Sequence, residues 1–283
     1  MSAHHQHGGP GMPVPQALPE VQNIIAVGSG KGGVGKTTIS VNLAVALAKM
    51  GHSTGLLDAD VYGPNVPLMM NVNEQPRVVG ENRIAPLEQF GVKTISVGLL
   101  NPGDKPLIWR GPMLHSIIRQ FLQQVDWGKL EYLVIDLPPG TGDVAISLIQ
   151  TVPLTGAIVV CTPSDVALQD ARKAIEMFRQ LKVDLIGIVE NMSYFVCPHC
   201  QHEVDIFSKG GGERTAAQFG VPFLGAIGLD PSVREGGDHG RPAALSGLDS
   251  GNPAKSFYDL ARRVTERVEE QNATAEGSVI RIT

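Results

Sequence analysis

The chain holds 283 residues, with 23 basic and 28 acidic side chains, a formal charge of −5 and only 5% aromatic residues. That balance argues against a broad surface for phosphate backbones and against a base-stacking platform. Three cysteines at this length exclude a disulfide scaffold and fit a reducing compartment, and 42% hydrophobic residues exclude global disorder despite 33 glycines and 20 prolines.

Residues 1–20 read as a disordered tail containing His, Gly and Pro. The tail lacks the roughly 7–15 consecutive apolar residues of a secretory signal, and no run in the chain approaches the roughly 20 of a membrane span. The expectation is a cytoplasmic protein with no membrane partner and no nucleic-acid partner. From 21 to 271, short β-branched runs alternate with helical periodicities. This predicts a single α/β domain, a mainly parallel sheet with helices on both faces. Strands are expected at Asn23–Val27, Thr54–Leu57, Val92–Val97, Tyr132–Ile135, Ala157–Cys161, Leu185–Val189 and Phe223–Ile227. Most are continuously apolar, as strands covered on both faces should be. Helices are expected at Lys36–Lys49, Met113–Val125, Val144–Gln150, Val166–Leu181, Gly212–Phe219 and Pro253–Gln271. Residues 73–91 read as an irregular or hairpin insertion, 194–203 as a CxxC loop and 272–283 as a flexible C-terminal tail.

Between the first strand and first helix, Gly30-Lys31-Gly32-Gly33-Val34-Gly35-Lys36-Thr37 matches G-x-x-x-x-G-K-[ST]. This strand–loop–helix setting is what a P-loop needs. Glycines let backbone N–H groups curl around phosphate oxygens, and the helix N-terminus adds its positive end. Lys36 is placed to reach the β- and γ-phosphates of ATP, and the Thr37 hydroxyl to ligate Mg²⁺; Thr38 follows in the same turn. The additional Lys31, spelled KGGVGKT, resembles the deviant Walker A motif of the MinD, ParA and nitrogenase-iron-protein class. That resemblance implies an ATP-dependent dimer in which Lys31 acts on the nucleotide of the other subunit.

Two hydrophobic runs end in acids, Leu56-Leu57-Asp58-Ala59-Asp60 and Leu133-Val134-Ile135-Asp136. They lie at the carboxyl ends of strands, where open α/β sheets bind ligands. Asp136 looks like a Walker B residue holding Mg²⁺ through water. Asp60 is the candidate for orienting or deprotonating the attacking water, and Asp58 is expected to be structural or to touch Mg²⁺ indirectly. Glycines in Leu137-Pro138-Pro139-Gly140-Thr141-Gly142-Asp143 permit a segment that rearranges with the γ-phosphate.

Cys197-Pro198-His199-Cys200 supplies two soft ligands, which do not complete a tetrahedral site or a four-iron cluster. Three readings of the pair remain open: a cluster bridging two subunits, zinc completed in one chain by a histidine such as His202, or a redox disulfide. Cys161 lies in an apolar strand and reads as a small buried hydrophobe.

From about Gln22 to Glu269 the chain resembles the Mrp/ApbC family of iron–sulfur cluster carrier ATPases, which includes NUBPL-type proteins. GSGKGGVGKTT, LLDADVYGPNVP, WRGPM at 109–113, YLVIDLPPGTGD and ENMSYFVCPHC at 190–200 carry the likeness. The resemblance implies a homodimer that binds ATP between subunits and holds a labile [4Fe–4S] cluster on paired Cys197 and Cys200. It further implies exchange with a cluster assembly scaffold and apoprotein recipients, slow ATP hydrolysis, and Asn191 at the adenine. The extra N-terminal domain of many bacterial members and the N-terminal four-cysteine motif of some eukaryotic ones are not matched, so a second, stable cluster is not expected. Trp109 and Arg110 receive no role beyond interface or packing. The rival readings are a MinD/ParA-like positioning or partition switch, which has no need of a CxxC, and a zinc-bearing regulatory ATPase.

Overall fold

A computed structural model describes residues 18–80, 83–100, 111–197, 199–248 and 253–279. The tail before residue 18, together with Trp109, Arg110 and Pro198, lies outside them. The elements run β1 (Val21–Ser29), α1 (Lys36–Lys49), β2 (Thr54–Asp58), α2 (Val66–Met69), β3 (Val78–Val79), β4 (Arg83–Ile84), β5 (Leu87–Gln89), β6 (Val92–Ser96), α3 (Gly111–Gln124) and β7 (Leu130–Asp136). They continue through α4 (Asp143–Ile149), β8 (Gly156–Cys161), α5 (Asp165–Gln180), β9 (Leu185–Glu190), β10 (Phe195–Val196), β11 (Glu203–Val204), α6 (Gly211–Phe219), β12 (Phe223–Ala226), α7 (Pro231–Asp238) and α8 (Ala254–Val279).

Eight strands form one sheet in the order β12-β9-β8-β1-β7-β2-β6-β5, and every pairing is parallel except β5 with β6. Alternate side chains of the inner strands serve two separate cores. Ile25 and Val27 of β1, Tyr132 and Val134 of β7, and Ile158 and Val160 of β8 pack on one face with α1 and α8. Ile24 and Ala26, Leu133 and Ile135, and Ala157 and Val159 pack on the other with α3 and α5. Both faces are therefore covered, which is why these strands read as unbroken apolar runs. Helix α1 is buried at every position from Ile39 to Leu47 because it lies between the sheet and α8.

The 73–91 insertion contains the antiparallel pair β3–β4 and leads into β5, which lies antiparallel on β6. Two differences from the sequence expectation have physical causes. Helix α8 runs on to Val279, where a flexible tail was expected from 272. No proline interrupts it, and the Asn272 amide donates to Asn23 Oδ1 at 3.0 Å, tying this turn to the start of β1. The short helices α2 and α7 were not anticipated, since four residues hold no helical period and α7 contains Gly236-Gly237. A local signal for α7 was nevertheless present: Asp230 accepts the Ser232 amide at 2.8 Å as N-cap, and Pro231 begins the helix.

Candidate functional site

The carboxyl ends of β1, β2 and β7 meet at the phosphate loop. Parallel register sets Asp136 beside both Val27 and Asp58, so two acids far apart in sequence arrive at one level. Asp136 is fully buried, with its Oδ2 2.8 Å from both the Thr37 hydroxyl and Lys36 Nζ. The Ser40 hydroxyl, one helical turn on, lies 2.6 Å from Asp136 Oδ1. Lys36 Nζ also stands 3.5 Å from Asp60 Oδ2. Asp58 accepts the Ser96 hydroxyl at 2.7 Å and the Asp60 amide at 3.1 Å. Burial first, and then the Asp136 charge, push the Asp58 carboxyl up to about 8. Asp60 is raised too, by burial first; Lys36 opposes that shift and Asp136 adds to it.

The loop backbone makes a cradle. Gly33 and Gly35 hold φ of 79° and 81°, a region that L side chains rarely adopt. Gly30 lies against α5 so closely that a Cβ would come 2.0 Å from the Asp170 carbonyl oxygen. A cavity of about 400 Å³ opens over the loop, within the range of small-molecule sites. Lys31, Gly32, Gly33, Gly35, Lys36, Thr37, Thr38, Asp60 and Asn191 line it, while Gly30, Val34 and Asp136 are not among its lining residues. Asn191 is nearly buried and donates its side-chain amide to Val34 O at 2.9 Å, which fixes the amide's orientation. The far end of the cavity is walled by α2, through Leu68 and Met69, and by α7, through Val233 and Arg234.

This donor set fits a nucleotide phosphate chain with a divalent cation. The Lys36 ammonium is buried and ion-paired but makes no hydrogen bond of good geometry, so its N–H groups are available to an anion. Thr37 and Asp136 present two oxygens side by side, the ligand type that Mg²⁺ takes.

The two cysteines of the CxxC lie elsewhere, on the hairpin β10–β11. The Cys197 amide donates to His202 O and the Gln201 amide to Cys197 O, each at 2.9 Å, closing a tight turn. Both thiols are free, Cys197 half-buried and Cys200 exposed. Backbone N–H groups, that of Cys200 first and that of His199 second, hold the Cys197 thiol below its usual range. Such a turn stabilises a thiolate, the form that ligates iron. It is a hairpin tip and not the start of a helix, which is where a thioredoxin-like pair sits. Among the described residues no three His, Cys, Asp or Glu side chains gather into a metal site. Cys161 is buried, and its thiol is pushed up to about 12 by burial and by Glu190.

Sequence reasoning missed Ser40, Ser96 and the walls α2 and α7. Ser40 had a local signal, standing four residues after Lys36, and α7 had its Asp230-Pro231 start.

Residues 20–265 match the family model described as NUBPL iron-transfer P-loop NTPase, of ParA type. The chain is 52% identical over 251 residues to the iron–sulfur protein required for NADH dehydrogenase of Arabidopsis thaliana mitochondria, covering 88% of this chain and 80% of that one. It is 48% identical over 263 residues to the iron–sulfur cluster carrier protein of Synechocystis, covering 91% and 74%. Among solved structures, a nucleotide-binding protein of Archaeoglobus fulgidus in complex with ADP aligns with a TM-score of 0.71 at 37% identity, over 79% of this chain and 88% of that one. Likeness to solved MinD ATPases, at 24% identity or less, is one of fold alone. Among the described residues no helix is long and apolar enough to cross a membrane.

Proposed function

The chain belongs to the NUBPL iron-transfer family of P-loop NTPases, and from that premise we propose that it is an ATP-hydrolysing carrier of a labile [4Fe–4S] cluster. Two copies hold the cluster on four thiolates, Cys197 and Cys200 from each, and pass it from an assembly scaffold to apoproteins in the cytoplasm. The observation that carries this reading is the pair of free thiols on an outward hairpin, two ligands of the four required, in a chain with a complete phosphate-binding loop. The MinD-like positioning switch is set aside, because relatives about half identical carry iron–sulfur names.

In this proposal the N–H groups of Gly32 to Thr38 cup the phosphates, and Lys36 leaves its carboxylates for the β- and γ-oxygens. Thr37 and Asp136 would hold Mg²⁺, which when bound would offset phosphate charge. Asn191 faces the adenine with the carbonyl end of its amide, the amino end being committed to Val34. Asp60 orients the attacking water and accepts its proton, for which a raised carboxyl is suited. Lys31 reaches the transferring phosphoryl group of the other subunit. Water takes the γ-phosphoryl group slowly, leaving ADP and phosphate, and the subunits alter the spacing of their paired thiolates.

Anaerobic reconstitution with iron and sulfide tests the reading. A visible absorption band, about four irons per dimer, and loss of both in Cys197→Ser and Cys200→Ser are expected. No cluster, or one indifferent to those substitutions, overturns it. Cell fractionation tests the cytoplasmic assignment.

A further inference from the structure

The excursion that carries Cys197 and Cys200 leaves β9 and rejoins the fold at α6 beside one buried carboxylate. Glu190 has no exposed surface. Its Oε1 accepts the Ser193 hydroxyl at 2.5 Å and the Gly210 amide at 2.9 Å, and its Oε2 accepts the Gly212 amide. Ser193 opens the excursion and Gly210 closes it as N-cap of α6. One side chain therefore ties both stems of the thiol hairpin together, and no role in phosphate chemistry accounts for it. The next residue, Asn191, is the one that holds the phosphate loop at Val34.

A second layer of bonds joins the same stem to the nucleotide cavity. The Ile227 amide donates to Glu190 O at 2.8 Å, the Ser193 amide to Ile227 O at 2.9 Å, and the Leu229 amide to Tyr194 O at 2.6 Å. Ile227, Gly228 and Leu229 also line the cavity. Gly228 packs so tightly on the Tyr194 ring that a Cβ there would come within 3.0 Å. Lys209 Nζ sits 4.5 Å from the centre of that ring and 2.5 Å from Glu203 on β11, linking the ring to the hairpin's second strand.

We propose that Glu190 is a positioning residue that couples nucleotide occupancy to the order of the thiol hairpin. A nucleotide that restrains Asn191 and residues 227–229 restrains groups already bonded to both stems, and Glu190 makes the stems respond together. Ordering at one site then lowers the cost of ordering at the other. The inference rests on the reading of Cys197 and Cys200 as cluster ligands, yet hairpin order is measurable with no iron present.

The test is amide hydrogen exchange on the full, iron-free chain, with and without ATP and Mg²⁺, at two protein concentrations tenfold apart. Amides of residues 193–210 are expected to exchange at least about 5-fold more slowly with nucleotide, equally at both concentrations. Glu190→Gln is expected to keep ATP affinity within about 3-fold and to lose the protection. A purely structural glutamate would alter exchange alike with and without nucleotide. Absence of protection in the natural chain, protection retained in Glu190→Gln, or protection that grows with concentration and so reports subunit association, each overturns the proposal. Should Glu190→Gln fail to fold, Ser193→Ala removes one stem's hydrogen bond to the carboxylate and leaves the carboxylate itself: reduced protection supports the coupling, and undiminished protection overturns it. If cluster reconstitution fails while this exchange pattern holds, the carrier reading falls and the coupling stands.

Discussion

Asp136 is sealed inside the protein with Thr37, Ser40 and Lys36 all directed at its two oxygens, whereas Cys200 stands exposed on a hairpin whose strands are two residues long. The first site is over-determined. Its groups come from β2, β7 and α1, packed between two cores, and moving one would leave a buried charge without its partner. The second site has a tight turn around Cys197 and stems tied at Glu190, and in the proposed carrier it would need a further pair of ligands from a second copy. On the proposed function, a tight hold on phosphate would suit a group bound and hydrolysed in place, while a shared, exposed grip would suit a cargo that must leave. The fold separates these demands by placing one in the sheet's carboxyl-end crevice and the other on an outward loop.

The largest expected effect falls on the exposed site and spares the buried one. Combining Cys197→Ser with Cys200→Ser should reduce retained iron to less than about a tenth of the natural chain's, because no other thiolate stands at the tip. Thermal midpoint should stay within about 2 °C, since neither thiol packs in a core cluster, and ATP affinity should be unchanged. A marked loss of stability would show that the hairpin supports the fold and would break the contrast.

Lys36→Ala should do the reverse. ATP turnover should fall at least about 100-fold through loss of a preorganised cation. Asp136 and Asp60 would then lack their shared partner, with a stability cost of about 3–5 kcal/mol visible as a lowered midpoint in scanning calorimetry. Turnover near the natural level would mean that the loop is not the hydrolytic site.

Lys31→Ala sharpens the division further, since Lys31 is half-exposed in the same cavity. Turnover should fall at least about 100-fold, as on loss of a group supplied in trans, with ATP affinity and thermal midpoint nearly unchanged. Mixing Lys31→Ala with Lys36→Ala chains should restore part of the activity, because one mixed site then holds an intact Lys36 and a partner-supplied Lys31. If no activity returns on mixing, the assignment of Lys31 to the other subunit fails.

Much of the buried site was legible in the sequence because its parts are local. The phosphate loop is contiguous, and its flanking strand and helix announce themselves by β-branched and 3.6-residue patterns. Asp136 and Asp60 follow apolar runs that only a doubly covered strand requires. What was not legible depends on register. Ser96 matters because β6 pairs with β2 and sets it beside Asp58, and Glu190 matters because α6 returns to the end of β9. Neither residue carries a neighbouring pattern that foretells its partner. The walls α2 and α7 escaped because short helices with Pro or Gly-Gly hold too few apolar positions to show a period. At the hairpin the CxxC was plain, while strands of two residues lie below anything alternation can reveal.

The smallest effect concerns Asp58, which sits in the buried site without touching its cavity. Its carboxyl titrates near 3.8 as a free side chain and at about 8 in the fold, chiefly because burial disfavours the charged form and secondly because Asp136 lies beside it. The folded state therefore binds more protons than the unfolded state across that interval, and stability must fall as pH rises from about 4 to about 8. An asparagine can still accept the Asp60 amide and can donate to Ser96, but it has no proton to lose. Asp58→Asn should thus flatten the decline in thermal midpoint between pH 6 and pH 9, with the two chains closer at pH 6 than at pH 9 and the variant relatively more stable at the higher pH. Parallel slopes would mean that Asp58 keeps its charge throughout. The sealed acid cluster would then be held by charge pairing with Lys36, and the contrast with the exposed thiols would lie in packing alone.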